Sequence, residues 1–357
     1  MGAQYLWYIP NTVQPGHRGD DTVDGWGSVE YSTRLAQAAE DHGWNGALLG
    51  TGWGRPDTFT VACALAARTR SFKPLIAVRP GYWQPAQFAA AAATLDDLSR
   101  GRVLVNIVSG VDNLAAYGDV HSDPAQRYDR TREFMHVVRR LWTQEHVTFT
   151  GEHFQVADST VTPCPYSGGG RTHPTLYFGG ASEAAERVSA AEADVQLFWG
   201  EPLDGLAERI NRLTELSGKV EREHEPLEFG LRITTVVRES TDEAWQAAED
   251  KVARMAAGAG ETNWGSNGRT AVGQRRLFEL AERGDVLDTC LYTAPGKYGA
   301  GGAATTWLVG SAQDVADALK AYRKLGITHF VLSDTPYLSE IGRVGDQVLP
   351  LLREPEL

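Results

Sequence analysis

The sequence predicts an α/β protein built as a (β/α)8 TIM barrel with insertions, and three observations predict it. Short apolar runs recur along the chain, each followed by a stretch with helical spacing, and eight such pairs are found. Runs such as Val103 to Val108 are apolar almost throughout, the pattern of a parallel strand covered on both faces. The first run ends Ile9-Pro10-Asn11-Thr12 instead of in the Gly-rich turn that opens a doubly wound dinucleotide sheet.

Taken in order, Gln4 to Pro10 is the first strand, and a Gly- and Asp-rich loop with His17 and Arg18 follows it. A helix over Ser28 to His42 carries Leu35, Ala38 and Ala39 at helical spacing and stops at Gly43. Gly46 to Gly50 is the second strand, and Pro56-Asp57 opens a helix that runs to about Arg70. Pro74 to Val78 is the third, closed by Arg79-Pro80-Gly81, with an Ala-rich helix over Pro85 to Leu98. The fourth strand, Val103 to Val108, leads through a polar loop holding Ser109, Asp112, His121 and Asp123 into a helix over Tyr128 to Trp142. Residues 144–174 break the alternation as a hairpin and loop insertion. It then resumes with strands at Thr175 to Phe178, Val195 to Trp199 and Glu228 to Val237, where Ser182 caps one following helix and Asp242 starts another. Residues 256–306 are Gly-, Ala- and Asn-rich and read as a lid insertion, helical only near Gly273 to Arg283. A helix over Ala312 to Leu325 and an eighth strand, Thr328 to Leu332, complete one domain over residues 1–357.

Composition narrows the function. The formal net charge of −12 argues against a nucleic-acid footprint. The start, MGAQYLWYIP, reads as a strand and not a secretory leader, and no apolar run reaches the ~18 residues of a membrane span. Cys63, Cys164 and Cys290 are odd in number and far apart, which fits reduced, mostly structural thiols in the cytoplasm. Ten Trp beside 38 Gly suggest a pocket for a flat ligand.

In a (β/α)8 barrel the active site lies at the carboxyl ends of the strands. That rule selects Asn11, Thr51 to Arg55, Arg79, Ser109 to Asp112, Gly179 to Ser182, Trp199 to Glu201, Arg232 with Thr234, and Ser333 to Tyr337. None of the nine His ends one of the first seven strands, so no catalytic metal is expected. Asp112 and Glu201 are the two carboxylates a glycosidase would need, but Glu201 in Gly-Glu-Pro reads as a helix-start acid. No nucleophile–base pair is visible. What remains, Arg with small, hydroxyl and aromatic residues, suits a site that binds an anionic cofactor, excludes water and leaves the difficult chemistry to that cofactor.

Motifs along nearly the whole chain carry a resemblance. They include WYIP near the start, LGTG at Leu49 to Gly52, AVRP at Ala77 to Pro80, TLDDLSRGR at Thr94 to Arg102, NIVSG at Asn106 to Gly110, HSDPAQRY at His121 to Tyr128, LYFGGAS at Leu176 to Ser182, WGEP at Trp199 to Pro202, FGLR at Phe229 to Arg232, STDEAWQAAE at Ser240 to Glu249 and RVGD at Arg343 to Asp346. With these the chain resembles the bacterial luciferase-like flavin monooxygenases, and among them the FMNH2-dependent alkanesulfonate monooxygenases. The resemblance implies reduced FMN at the barrel mouth, O2 as co-substrate acting through a flavin C4a-(hydro)peroxide, and a separate NAD(P)H:FMN reductase. It also implies a small-molecule substrate and a homodimer or homotetramer. Carried over residue by residue, the phosphate lies near His121, Tyr128 and the turn Gly179, Gly180, Ala181, Ser182, where a helix start favours an anion. The ring packs near Ala77, Asn106 and Ser109, and the lid shields it from water.

The departures concern the substrate. The sulfonate enzymes carry Cys where Arg55 stands, His where Thr234 stands, and Tyr where Thr335 stands, while Arg232 is kept. Their lid Arg has no clear counterpart, and Lys297 is the nearest cation. Arg232, Arg55, Trp199 and Thr234 are therefore the candidate catalytic and substrate-facing set, with Trp199 as pocket wall. Arg232 either meets an anion of substrate or cofactor or is neutralised by a carboxylate. Arg55 either grips a substrate anion bidentately or pairs with Asp57. The substrate expected is a small anionic or organosulfur compound other than a simple alkanesulfonate. Alternatives sharing the fold are an alkanesulfonate monooxygenase releasing sulfite and aldehyde, and a deazaflavin-dependent dehydrogenase.

Overall fold

Eight parallel strands follow one another around a closed barrel in chain order. They are β1 (Gln4–Ile9), β2 (Gly46–Leu49), β3 (Lys73–Val78), β4 (Leu104–Ile107), β5 (Thr175–Phe178), β6 (Val195–Trp199), β7 (Glu228–Arg238) and β8 (Ile327–Ser333). Pairing of β8 with β1 and of β6 with β7 closes the ring. The computed structural model describes residues 2–12, 23–110, 112–119, 123–220, 222, 224–258, 272–298 and 306–353.

Register fixes which side chains fill the barrel. Ala77, Asn106, Tyr177 and Val195 are ladder partners in sequence round β3 to β6, so they share one face. Tyr177 Oη lies 2.8 Å from Nδ1 of His329 on β8, a contact possible only through the interior, so this row faces inward. Nearer the carboxyl ends Arg232 of β7 lies over the Tyr8 ring of β1, 4.6 Å from its centroid, which turns both inward as well. Toward the opposite end, Nε2 of His329 lies 2.5 Å from the Glu228 carboxylate. Tyr177 is fully buried, which raises its pKa, so its hydroxyl stays protonated and donates to Nδ1 while Nε2–H donates to Glu228. The His329 hydrogen bond, the largest cause, holds the Glu228 carboxyl below its usual range.

The helices begin where short polar side chains can satisfy free N–H groups. Ser28, Asp57, Asp123, Ser182 and Ser311 each accept a backbone N–H as N-cap. After β3 the helix Pro85–Ser99 ends with Arg100 and Gly101 both left-handed, at φ 58° and 82°. The helix after β4 spans Pro124–Thr143, one turn earlier than the sequence reading, because Asp123 rather than a later residue caps it. Residues 147–150 and 155–159 pair as an antiparallel hairpin outside the barrel. Glu133 fastens it by accepting the N–H groups of Glu152, His153 and Phe154.

The stretch after β7 holds more structure than its composition suggests. Helices Thr241–Gly258 and Val272–Arg283 are followed by a short antiparallel pair at 286–287 and 291–292. A ninth parallel strand, Trp307–Ser311, then pairs with Thr234 to Arg238, the part of β7 that outruns β6. It buries Trp307 and Val309 in a second apolar cluster with Val236, Ala248, Met255 and Tyr292. A further helix, Tyr337–Gln347, follows β8.

Candidate active site

The carboxyl-terminal parts of β1, β3, β4, β6 and β7 bring Tyr8, Ala77, Asn106, Trp199, Arg232 and Thr234 to one end of the barrel. Arg232 is half-buried there. Among the described residues no carboxylate lies within ion-pair distance of its guanidinium, and the Tyr8 ring is the contact it makes. A cation–π contact offsets only about 0.5–2 kcal/mol of the cost of desolvating such a charge. The guanidinium is thus placed to meet an anion. Trp199 is the ladder partner of Arg232. Its indole lies against the start of helix Val272–Arg283, where a Cβ added at Gly273 would sit 3.2 Å from the ring. Thr234 is fully buried, its Oγ1 3.3 Å from Ser333 Oγ. Arg55 is exposed and does not pair with Asp57: its Nη1 donates to the Pro10 carbonyl at 2.5 Å, while Asp57 caps the following helix. Lys297 is bound to Asp285 at 2.8 Å.

Asn106 is half-buried, and its amide has no hydrogen-bond partner among the described residues. Beside it Ala77 is 4% exposed and offers only a methyl group. Ser109 lies 2.5 Å from Thr131 Oγ1, which donates to the Arg127 carbonyl. The Ser109 proton therefore goes to Thr131, and its oxygen is left to accept. Tyr128 is half-buried near the start of helix Pro124–Thr143 and packs on the core. His121 lies outside the described residues.

The turn after β5 is held from behind. Arg209 is 2% exposed; it donates to the Gly180 carbonyl at 2.8 Å, to Glu186 at 3.1 Å and to Glu201 at 2.9 Å. Gln196 donates to the same Gly180 carbonyl at 3.2 Å. A Cβ at Gly180 would meet the Ala185 methyl at 2.5 Å, so no larger residue fits this turn as it stands. Ser182 accepts the Ala185 N–H, which leaves its own O–H free to donate. Glu201 is answered twice, by Arg209 and by a two-point contact from Arg276 (3.0 and 2.6 Å), and the Glu201 hydrogen bond raises the Arg276 pKa. It is a structural acid that docks helix Val272–Arg283 on the barrel.

On the rim, Asp112 binds Arg79 at 3.1 Å, the Trp53 N–H and the Tyr117 hydroxyl. Tyr117 stacks on Tyr82 at 4.6 Å, and Trp53, 55% exposed, meets its edge. Burial first, then Asp112, raises the Tyr117 pKa. Pairing with arginines removes Asp112 and Glu201 as a glycosidase couple, since each is already neutralised.

The luciferase-like monooxygenase family model matches residues 4–329. The chain belongs to the luciferase-like monooxygenase family. Solved structures sharing its fold include the EDTA monooxygenase EmoA from Chelativorans sp. BNC1 (17% identity, TM-score 0.78, covering 99% of this chain and 93% of that one). The long-chain alkane monooxygenase LadA superposes over 99% of this chain and 91% of its own (16%, TM-score 0.76). A secondary alcohol dehydrogenase dependent on F420 shares the barrel as well (17%, TM-score 0.67, 99% of this chain and 100% of that one). The chain is thus a flavin-dependent monooxygenase. A flavin suits the residues present: an unpaired amide at Asn106 and a methyl floor at Ala77 match a flat, polar-edged ring. Tyr8, Gln196 and Arg209 escaped sequence reading because a strand tyrosine and helix or strand polar residues carry no local signal. Only the barrel closure brings them to the mouth.

Proposed function

We propose that the chain is the oxygenase half of a two-component system. In this reading reduced FMN comes from a separate NAD(P)H-dependent FMN reductase, O2 is the co-substrate, and the second substrate is a small anionic or organosulfur compound other than a simple alkanesulfonate. The enzyme works in the cytoplasm as a homodimer or homotetramer. When bound, the reduced flavin supplies the electrons that activate dioxygen for insertion into the substrate. Ala77, Asn106 and Ser109 would lie against the ring, with Asn106 donating or accepting at its polar edge and Ser109 accepting. His121, Tyr128 and the Gly179–Ser182 turn would hold the phosphate, with the Ser182 hydroxyl and the free N–H groups of the helix start as donors. Trp199 and the residues 256–306 lid would keep water out, which this chemistry requires. Thr234 leaves the β7 end small where a histidine would fill it.

The observation that carries the substrate class is Arg232: a half-buried cation at the mouth, matched only by an aromatic face among the described residues. The test supplies reduced FMN through an FMN reductase and screens organosulfur, carboxylate, amine and ketone compounds for product and substrate-dependent O2 uptake. Turnover of an anionic compound supports the reading. Sulfite release from short alkanesulfonates at the rate of the sulfonate enzymes would overturn the substrate class. Hydride transfer to an oxidised deazaflavin, or from a reduced one, without O2 uptake would replace the monooxygenase mechanism.

A further inference from the structure

We propose that the Tyr8 hydroxyl is a specificity-determining donor which, with Arg232, grips an oxyanion of the substrate; this deepens the functional reading above and rests on it. Tyr8 is 7% exposed, yet its hydroxyl has no hydrogen-bond partner among the described residues. Phenylalanine would keep everything the ring does. The ring lies under the Arg232 guanidinium at 4.6 Å and packs against Tyr337 at 6.1 Å, and neither contact uses the oxygen.

The oxygen sits where cations gather. A Cβ added at Gly50 would lie 2.6 Å from Tyr8 Oη and 2.9 Å from Arg55 Nη1, so these two polar atoms flank the same glycine. Arg55 spends Nη1 on the Pro10 carbonyl, while Arg232 has no carboxylate partner among the described residues. Tyr8 O–H and the Arg232 guanidinium are both donors, and neither is hydrogen-bonded to an acceptor among the described residues. Their ligand must therefore be an acceptor with more than one oxygen and a negative charge: a carboxylate, a sulfonate or another oxyanion. A neutral amide offers one oxygen and no charge to the arginine.

The experiment is calorimetric binding to the full chain in the presence of oxidised FMN, with hexanoate, hexanesulfonate and hexanamide as probes, for the wild type and Tyr8→Phe. The wild type is expected to bind both anions more tightly than the amide. Tyr8→Phe is expected to lose about tenfold or more of the affinity for the anions, with amide and FMN affinities unchanged. Its melting temperature should be unchanged, which a structural hydroxyl would not allow. Anion affinity equal to that of the wild type, or a loss confined to FMN, would overturn the role of Tyr8 alone. A wild-type mouth that takes hexanamide as readily as the anions would overturn the functional reading, and the proposal with it.

Discussion

Replacing Glu201 by glutamine separates a structural acid from a catalytic one. Glu201 is 4% exposed and receives Arg209 at 2.9 Å and Arg276 at 3.0 and 2.6 Å. Glutamine keeps the shape and one acceptor, but it removes the charge and turns an NH2 group toward a guanidinium. Removing one partner of a buried ion pair costs about 3–5 kcal/mol. Arg209 keeps Glu186, whereas Arg276 has no second carboxylate within ion-pair distance among the described residues. The loss for Glu201→Gln should therefore lie near the lower end, about 3 kcal/mol. Urea unfolding reads it as a lowered midpoint at unchanged slope, and calorimetry as a melting temperature several degrees lower. FMN affinity should fall less than tenfold, since Gln196 still holds the Gly180 carbonyl. A variant as stable as the wild type but without turnover would refute the structural role and restore Glu201 as a reacting carboxylate.

Gly180→Ala should push the turn after β5 outward by roughly 1 Å, because its Cβ would otherwise sit 2.5 Å from the Ala185 methyl. FMN affinity should drop by an order of magnitude or more while riboflavin affinity holds, read by flavin fluorescence titration; equal losses would place the phosphate elsewhere. Arg232→Met should weaken carboxylate and sulfonate ligands roughly tenfold to a hundredfold and leave FMN binding intact. Unchanged anion binding would remove Arg232 from the substrate site. The Glu228 carboxyl is depressed in the folded chain by His329, so the folded state binds fewer protons than the unfolded one. Its contribution is complete above the ordinary value of 4.5 and is lost as pH falls through the lowered folded value. Glu228→Gln should accordingly flatten the stability profile below pH 4.5, measured by urea midpoints across acid pH, and a parallel profile would contradict the pairing.

The barrel was legible because parallel strands covered on both faces must be apolar almost throughout, as Val103 to Val108 is but for Asn106, and because helix starts advertise themselves through Ser, Asp and Pro. Strand Thr175–Phe178 and strand Val195–Trp199 have the bounds that pattern implies. Trp307–Ser311 was hidden because it follows a Gly- and Ala-rich stretch and its parallel partner is the overhang of β7. The candidate site was legible as strand ends, since topology alone assigns them to one face. Its pairings were not: that Arg79 meets Asp112, that Arg276 meets Glu201, and that Tyr8 lies under Arg232 depend on distances between residues scores of positions apart.

The most direct measurement is an anaerobic titration of the full chain with reduced FMN, paralleled by riboflavin and by a reduced deazaflavin. Saturable binding of one reduced FMN per chain, tighter than riboflavin and followed by O2 uptake on mixing with air, is the expected result. A mouth that saturates with none of these, or with the deazaflavin alone, would contradict the account.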